Sequence, residues 1–157
     1  MSVSARVHCN CFERGIIQSP PYPESLYIDE SGAIAWRILE PGLLAELDEW
    51  RSNACEHERG IYISRDIGNI ALVADLRMKL SRERESFPVL LEKVLYNGIH
   101  AGDCLSLQDV SRLKHELEIV EEFQPADSEM FPYLGSFAST MFELVECAQL
   151  LEKPIEF

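Results

Sequence analysis

The hydrophobic period of this chain changes once, at residues 40–42, and that change limits the fold to a β-rich start joined to a helical remainder. In residues 3–11, Val3, Ala5, Val7, Cys9 and Cys11 alternate with Ser4, Arg6, His8 and Asn10, the period of a half-buried strand. Residues 18–24 hold three prolines, each of which removes a ladder donor, so they form a surface loop and not a strand interior. A hairpin follows. Leu26, Tyr27 and Ile28 enter it, residues 29–32 turn, and residues 33–38 return.

Beyond Pro41 the period is helical. Leu43, Leu44, Leu47, Trp50 and Ala54 form one stripe, and Gly60, preceded by Arg59, stops the helix. Ile61, Tyr62 and Ile63 read as a short strand. Residues 69–80 are apolar nearly all round, as in a buried helix. Ser86, Phe87 and Pro88 open another helix, which ends at Asn97 and Gly98. Ser106 and Asp109 start a further one with a capping-box-like pattern, and Leu107, Val110, Leu113, Leu117 and Val120 form its stripe. The last helix runs from near Asp127 toward Glu152, with Leu134, Phe137, Met141, Leu144, Ala148 and Leu151 on its face and Pro154 beyond it. The expected architecture is a single α+β domain over 1–157. An N-terminal β-hairpin or small antiparallel sheet (β-rich 1–40) packs on four to five α-helices (mainly helical 41–157).

Charge narrows the partner classes. The formal net charge is −13. Residues 115–157 carry ten acids against one base, Lys153, and so hold −9 of that total. Nucleic-acid binding needs clustered Lys and Arg, so direct contact with nucleic acid is disfavoured. A basic protein is the complementary partner, met through Glu116, Glu118, Glu121, Glu122, Asp127 and Glu129. No apolar run approaches the roughly 20 residues of a membrane helix, and the N-terminus has no apolar core of a secretory signal. A cytoplasmic location is therefore expected, with the five cysteines reduced.

Three of the four histidines sit beside cysteines, at His8-Cys9-Asn10-Cys11, Cys55-Glu56-His57 and His100-Ala101-Gly102-Asp103-Cys104. Thiolate and imidazole are the groups a metal site or a cysteine nucleophile uses. On a regular strand Cys9 and Cys11 share a face and His8 points to the other, so a metal could take both thiols without His8. On a continuing helix Cys55 and His57 diverge by about 200° and could meet one ion only if the helix had frayed. His100 and Asp103 lie in a glycine-flanked loop and are the acid/base candidates. Each group also has a plain structural account: small apolar cysteines in a core face, a histidine at a helix end, and turn chemistry around Gly98 and Gly102. The expectation is that these groups pack and cap, and that no cofactor is held. The alternative is a metal- or cysteine-dependent enzyme, with zinc or a similar transition metal on Cys9, Cys11, Cys55, His57 and His100. No nucleophile elbow, phosphate loop, His-Glu-x-x-His or dinucleotide fingerprint is present.

The strings His-Cys-Asn-Cys-Phe-Glu-Arg-Gly, Asn-Ala-Cys-Glu-His and Leu-Tyr-Asn-Gly-Ile-His-Ala-Gly-Asp resemble those of a small uncharacterised bacterial protein family with no assigned activity. That resemblance transfers no site residue. In bulk character the chain is similar to immunity proteins that neutralise basic toxins. The leading expectation is thus a non-catalytic, protein-binding, immunity-like module. A homo-oligomer built on the last helix is a further option.

Overall fold

The alternation at the N-terminus becomes the strand around which the sheet is built. The computed structural model describes residues 2–37, 40–95, 103–123 and 128–157. Strand β1 (Ser2–His8) buries Ala5 and Val7 completely and pairs antiparallel on one side with β4 (Ile61–Asn69). On its other side it pairs with the two-residue strand β6 (Ile155–Glu156), which in turn pairs with β5 (Cys104–Leu105). The sheet order is β4-β1-β6-β5, antiparallel throughout. The hairpin forms as a separate two-stranded sheet of β2 (Leu26–Ile28) and β3 (Ile34–Trp36). Asp29 fixes its turn, one carboxylate oxygen accepting from the backbone N–H groups of Ser31 and Ala33 and from the Ser31 hydroxyl.

The α+β expectation holds, with β1, β2 and β3 before residue 40 and all four α-helices after it, but the main sheet draws on both parts. Three of the four strands of the main sheet come from beyond residue 40. The C-terminal segment returns to the sheet through Ile155, which is fully buried against Val7.

The helices are α1 (Pro41–Asn53), α2 (Ile70–Leu80), α3 (Leu107–Glu122) and α4 (Phe131–Leu151), with a π-helical turn at Leu90–Val94. Each start has a physical cause. Asn69 caps α2 by accepting from the Leu72 N–H, and Ser106 caps α3 by accepting from the Asp109 N–H. Proline in the first turn opens α1 and α4. Glu152, in the left-handed region, closes α4, and the Lys153 N–H donates to the Ala148 carbonyl. The all-round apolar character of α2 does not mean full burial. Val73, Leu76 and Leu80 are buried, while Ile70 and Met78 are more than half exposed. No described helix is long and apolar enough to cross a membrane. The helix end expected at Asn97 and Gly98 lies outside the described residues.

The core is made by α4 and α3 against the inner face of the sheet. Phe137, Met141, Leu144 and Ala148 of α4 meet Leu113, Leu117 and Val120 of α3, together with Ala5, Val7, Leu105 and Ile155. No described residue between 9 and 60 belongs to this cluster. That long excursion leaves the sheet at the end of β1 and re-enters it at the start of β4. It is held by other means. Lys153, buried beneath it, donates to the Gly32 carbonyl at 2.9 Å and pairs with Glu13. Gly32 has a φ of +82°, and a Cβ there would sit 3.0 Å from the Pro154 ring, so only glycine lets the hairpin approach this close.

Candidate metal centre

The two ends of the excursion converge on four ligating side chains. Cys9 and Cys11 follow β1. Cys55 and His57 follow α1, in the turn that leads into β4. One donor atom from each of the four lies within 4.8 Å of the other three. Among the described residues no other group of three or more His, Cys, Asp or Glu side chains is this close.

Local backbone explains the convergence. The β1–β4 register shifts after Val7. Val7 faces Ile63 and His8 faces Ile61, which leaves Tyr62 as an extra residue. The Cys9 N–H donates to the Gly60 carbonyl at 2.8 Å, holding the two strand ends together. After Cys9 the chain curls tightly. The Arg14 N–H donates to the Asn10 carbonyl and the Ile16 N–H to the Cys11 carbonyl, both at 3.0 Å, which brings Cys11 back beside Cys9. On the other side, α1 ends at Asn53, not at Gly60 as its sequence suggested. Cys55 and His57 are therefore free of the helical 200° divergence. Arg59 and Gly60, with φ of 53° and 73°, then reverse the chain into β4. A Cβ on Gly60 would lie 4.0 Å from the Cys9 sulfur, so glycine is required there by its φ and not by crowding.

Three of the six donor–donor distances match the edges of a coordination tetrahedron, and all six lie within 4.8 Å. With metal–sulfur bonds of about 2.3 Å and metal–nitrogen bonds near 2.0 Å, tetrahedral edges are roughly 3.8 Å for S···S and roughly 3.5 Å for S···N. The Cys9 and Cys55 sulfurs are 3.8 Å apart. Nδ1 of His57 is 3.4 Å from the Cys11 sulfur and 3.8 Å from the Cys55 sulfur. Tyr62, the extra residue of β4, sits with its ring 5.2 Å from the imidazole and steadies its orientation. Cys9 and Cys11 are buried, and Cys55 and His57 are partly exposed, which leaves an entry path. Burial pushes the Cys11 thiol up to about 12 and raises Cys9 in the same direction. Ionised thiolates in this place need a positive charge among them.

The other sequence candidates are elsewhere. His8 points away from the cluster, as strand alternation requires. Its Nε2 is 2.6 Å from a carboxylate oxygen of Glu156, which also accepts from Arg6. Burial would raise Glu156, but Arg6 and then His8 outweigh it and hold the carboxyl below the ordinary glutamate value. His100 lies outside the described residues. Asp103 is exposed ahead of β5, where its carbonyl accepts from the Phe157 N–H. Cys104 donates to the Glu30 carbonyl at 3.4 Å.

Of the six acids expected on a docking face, Glu118, Glu121, Glu122 and Glu129 are exposed, and Asp127 lies outside the described residues. Glu116 is a correction. It is only 4% exposed, and its two oxygens accept from the Val89 and Leu90 N–H groups, each at 2.8 Å. A carboxylate that satisfies two buried backbone donors is a structural acceptor, not a surface charge.

Of the sulfur and imidazole groups singled out in the sequence, the structure brings Cys9, Cys11, Cys55 and His57 together. The signal that could have found them is the repeated spacing. Cys-x-Cys and Cys-x-His each leave one residue between ligands, in segments flanking one long excursion. No protein-family model matches the chain, and no solved structure matches it significantly.

Proposed function

We propose that this protein is a non-catalytic module whose residues 9–60 are clipped to the sheet by one zinc ion on Cys9, Cys11, Cys55 and His57. The observation that carries this reading is the mutual distance of the four donor atoms. Three thiols and an imidazole form a soft donor set that suits zinc over calcium or magnesium. Four protein ligands also complete a tetrahedron, the mark of a structural site, whereas catalytic zinc keeps a position open for water. The position in the chain supports the same role. The described residues of the excursion contribute nothing to the main hydrophobic cluster, and a metal clip that closes a long loop offsets much of its conformational entropy.

The test is elemental analysis of protein purified without chelator, followed by cobalt(II) substitution. One zinc per chain is expected. The cobalt form should show thiolate-to-metal charge-transfer bands that weaken in Cys11→Ser and Cys55→Ser. Protein that holds no zinc and gives no such bands on cobalt addition would remove the proposal.

A second reading concerns the partner. The module binds a basic protein through its acidic C-terminal half. Supporting it, Glu118, Glu121 and Glu122 are all exposed on the second half of α3. The single base among residues 115–157, Lys153, is buried in its pair with Glu13 and offers no surface counter-charge. Reversing Glu118, Glu121 and Glu122 to lysine should abolish capture of a basic protein at low salt. Unchanged capture would discard this face.

A further inference from the structure

The exposed half of α3 borders a groove that the acidic-face reading leaves unused. It has a volume of 680 Å³ and runs between the C-terminal part of α3 and the first four turns of α4. Its floor is lowered by Gly135, Ala138 and Ser139, and its walls are Phe123, Phe131 and Phe142. Phe131 is 50% exposed and adds an apolar edge to the groove. Among the described residues every ionisable side chain lining the groove is a carboxylate: Glu118 and Glu121 from α3 and Glu146 from α4.

We propose that this groove receives one basic amphipathic helix of a partner protein. The proposal rests on the reading that the partner is basic, and it adds the place and shape of contact. From Phe131 to Glu146 the lining follows α4 for about 22 Å, the length of a helix of about 15 residues. An apolar floor flanked by charge of one sign fits a helix with an apolar stripe at i, i+3, i+4 and i+7 and cations beside it. A second copy of this chain is a poor occupant, because its own groove and flanks repeat the carboxylates.

Gly135 makes the proposal testable without unfolding the protein. A Cβ there would meet nothing within 4 Å, so a larger side chain projects into the groove and not into the core. The probe is a fluorescent synthetic peptide of about 15 residues, with leucines at helical spacing and lysines elsewhere. Its control is a peptide of identical composition with the leucines scattered. Both are titrated by anisotropy against the full metal-loaded chain, against Gly135→Phe, and against Glu118→Lys/Glu121→Lys. Circular dichroism checks that the variants remain folded, and Gly135→Ala serves as the mild control.

The patterned peptide should bind roughly tenfold or more tightly than the scattered one, and Gly135→Phe should erase that difference. The double reversal should weaken both peptides. Equal binding of the two peptides, or a preference that survives Gly135→Phe, overturns the groove but leaves the acidic-face reading standing if charge reversal still weakens both. Binding of neither peptide overturns both. Light scattering that shows a dimer dissociated by Gly135→Phe would assign the groove to a second copy and overturn the proposal.

Discussion

Residues 9–60 and the α3–α4 core are held by different physics within one chain. In the core, a continuous set of fully buried aliphatic and aromatic side chains runs from Val7 and Ile155 through Met141 and Leu144 to Leu113 and Leu117. Among the described residues of the excursion the buried apolar ones are few: Cys9, Cys11, Leu47 and Ala54. What replaces a core there is polar and local. The Arg51 guanidinium lies 4.8 Å over the Trp36 ring, Lys153 reaches up from below to Gly32 and Glu13, and four ligands gather where the segment begins and ends. A segment of about fifty residues buries too little apolar surface to fold by itself, and metals or disulfides commonly supply the deficit. The difference teaches that three of the five cysteines, Cys9, Cys11 and Cys55, lie where hydrophobic burial runs out.

Metal removal tests this division most directly. Chelation should strip hydrogen-exchange protection from the Cys9 and Gln18 amides, which donate to the Gly60 and Ala54 carbonyls at 2.8 Å. The expected loss is on the order of a hundredfold, or about 2.7 kcal/mol of local stability. Amides of Leu117 and Leu144 should change little. Uniform loss across both regions would show one cooperative unit and break the comparison.

Next in size are two substitutions at equally buried leucines. Leu117 and Leu47 are both fully inaccessible. Leu117→Ala opens a cavity in the continuous core and should cost about 2–5 kcal/mol in chemical denaturation of the whole molecule. Leu47→Ala should loosen residues 9–60 and lower their exchange protection while leaving the midpoint of the helical core nearly unmoved. If Leu47→Ala shifts that midpoint as far as Leu117→Ala does, the excursion is part of the main core after all.

The sequence carried these two regions unequally. Elements fixed by period or by caps were legible: the alternation of β1, the hairpin turn at Asp29, the Ser106 cap and the long stripe of α4. Two-residue strands such as β5 and β6 have no period to detect, because Ile155 and Glu156 become a strand only by lying beside Arg6 and Val7. The end of α1 was misread because Arg59 and Gly60 look like a helix terminus, whereas their left-handed conformations serve the turn after His57. The ligand set was visible as two close pairs. Their meeting was not, since it depends on Tyr62 being an extra residue in β4 and on the curl between Asn10 and Ile16. Glu116 shows the opposite failure. Its charge was plain in the sequence, but its burial follows from two backbone donors contributed by a distant segment.

Glu116 therefore belongs with the core in this comparison, and its loss should be felt there. Burial pushes its carboxyl above the ordinary glutamate value, although the Leu90 and Val89 N–H groups pull the other way. Glu116→Ala strands those two buried donors and should cost about 1–3 kcal/mol by denaturant unfolding. Zinc content should stay the same. A neutral result would mean that the segment after Phe87 satisfies its first N–H groups by some other route.

The smallest expected effect separates the two regions by pH. Asp109 accepts from the Lys93 ammonium at 2.6 Å and from the Ser106 hydroxyl at 2.8 Å. Burial alone would raise its carboxyl, but Lys93 and Ser106 prevail and hold it below the ordinary aspartate value. A carboxyl lowered by folding stabilises the native state fully above its unfolded value, and the contribution fades as pH falls through the folded value. Asp109→Asn should thus cost about 1 kcal/mol or less at neutral pH, because Lys93 is nearly half exposed. The cost should shrink as pH falls below the ordinary aspartate range and through the lowered value of the folded state. It should appear in unfolding of the helical core and leave metal affinity unchanged, since the pair joins α3 to the helical turn at Leu90–Val94. A pH-independent cost would mean that Asp109 acts only as a neutral acceptor at the start of α3. A change in metal affinity would mean that strain at this helix start reaches the ligands, and the division between clipped excursion and packed core would have to be redrawn around β1 and β4, the two strands that flank residues 9–60.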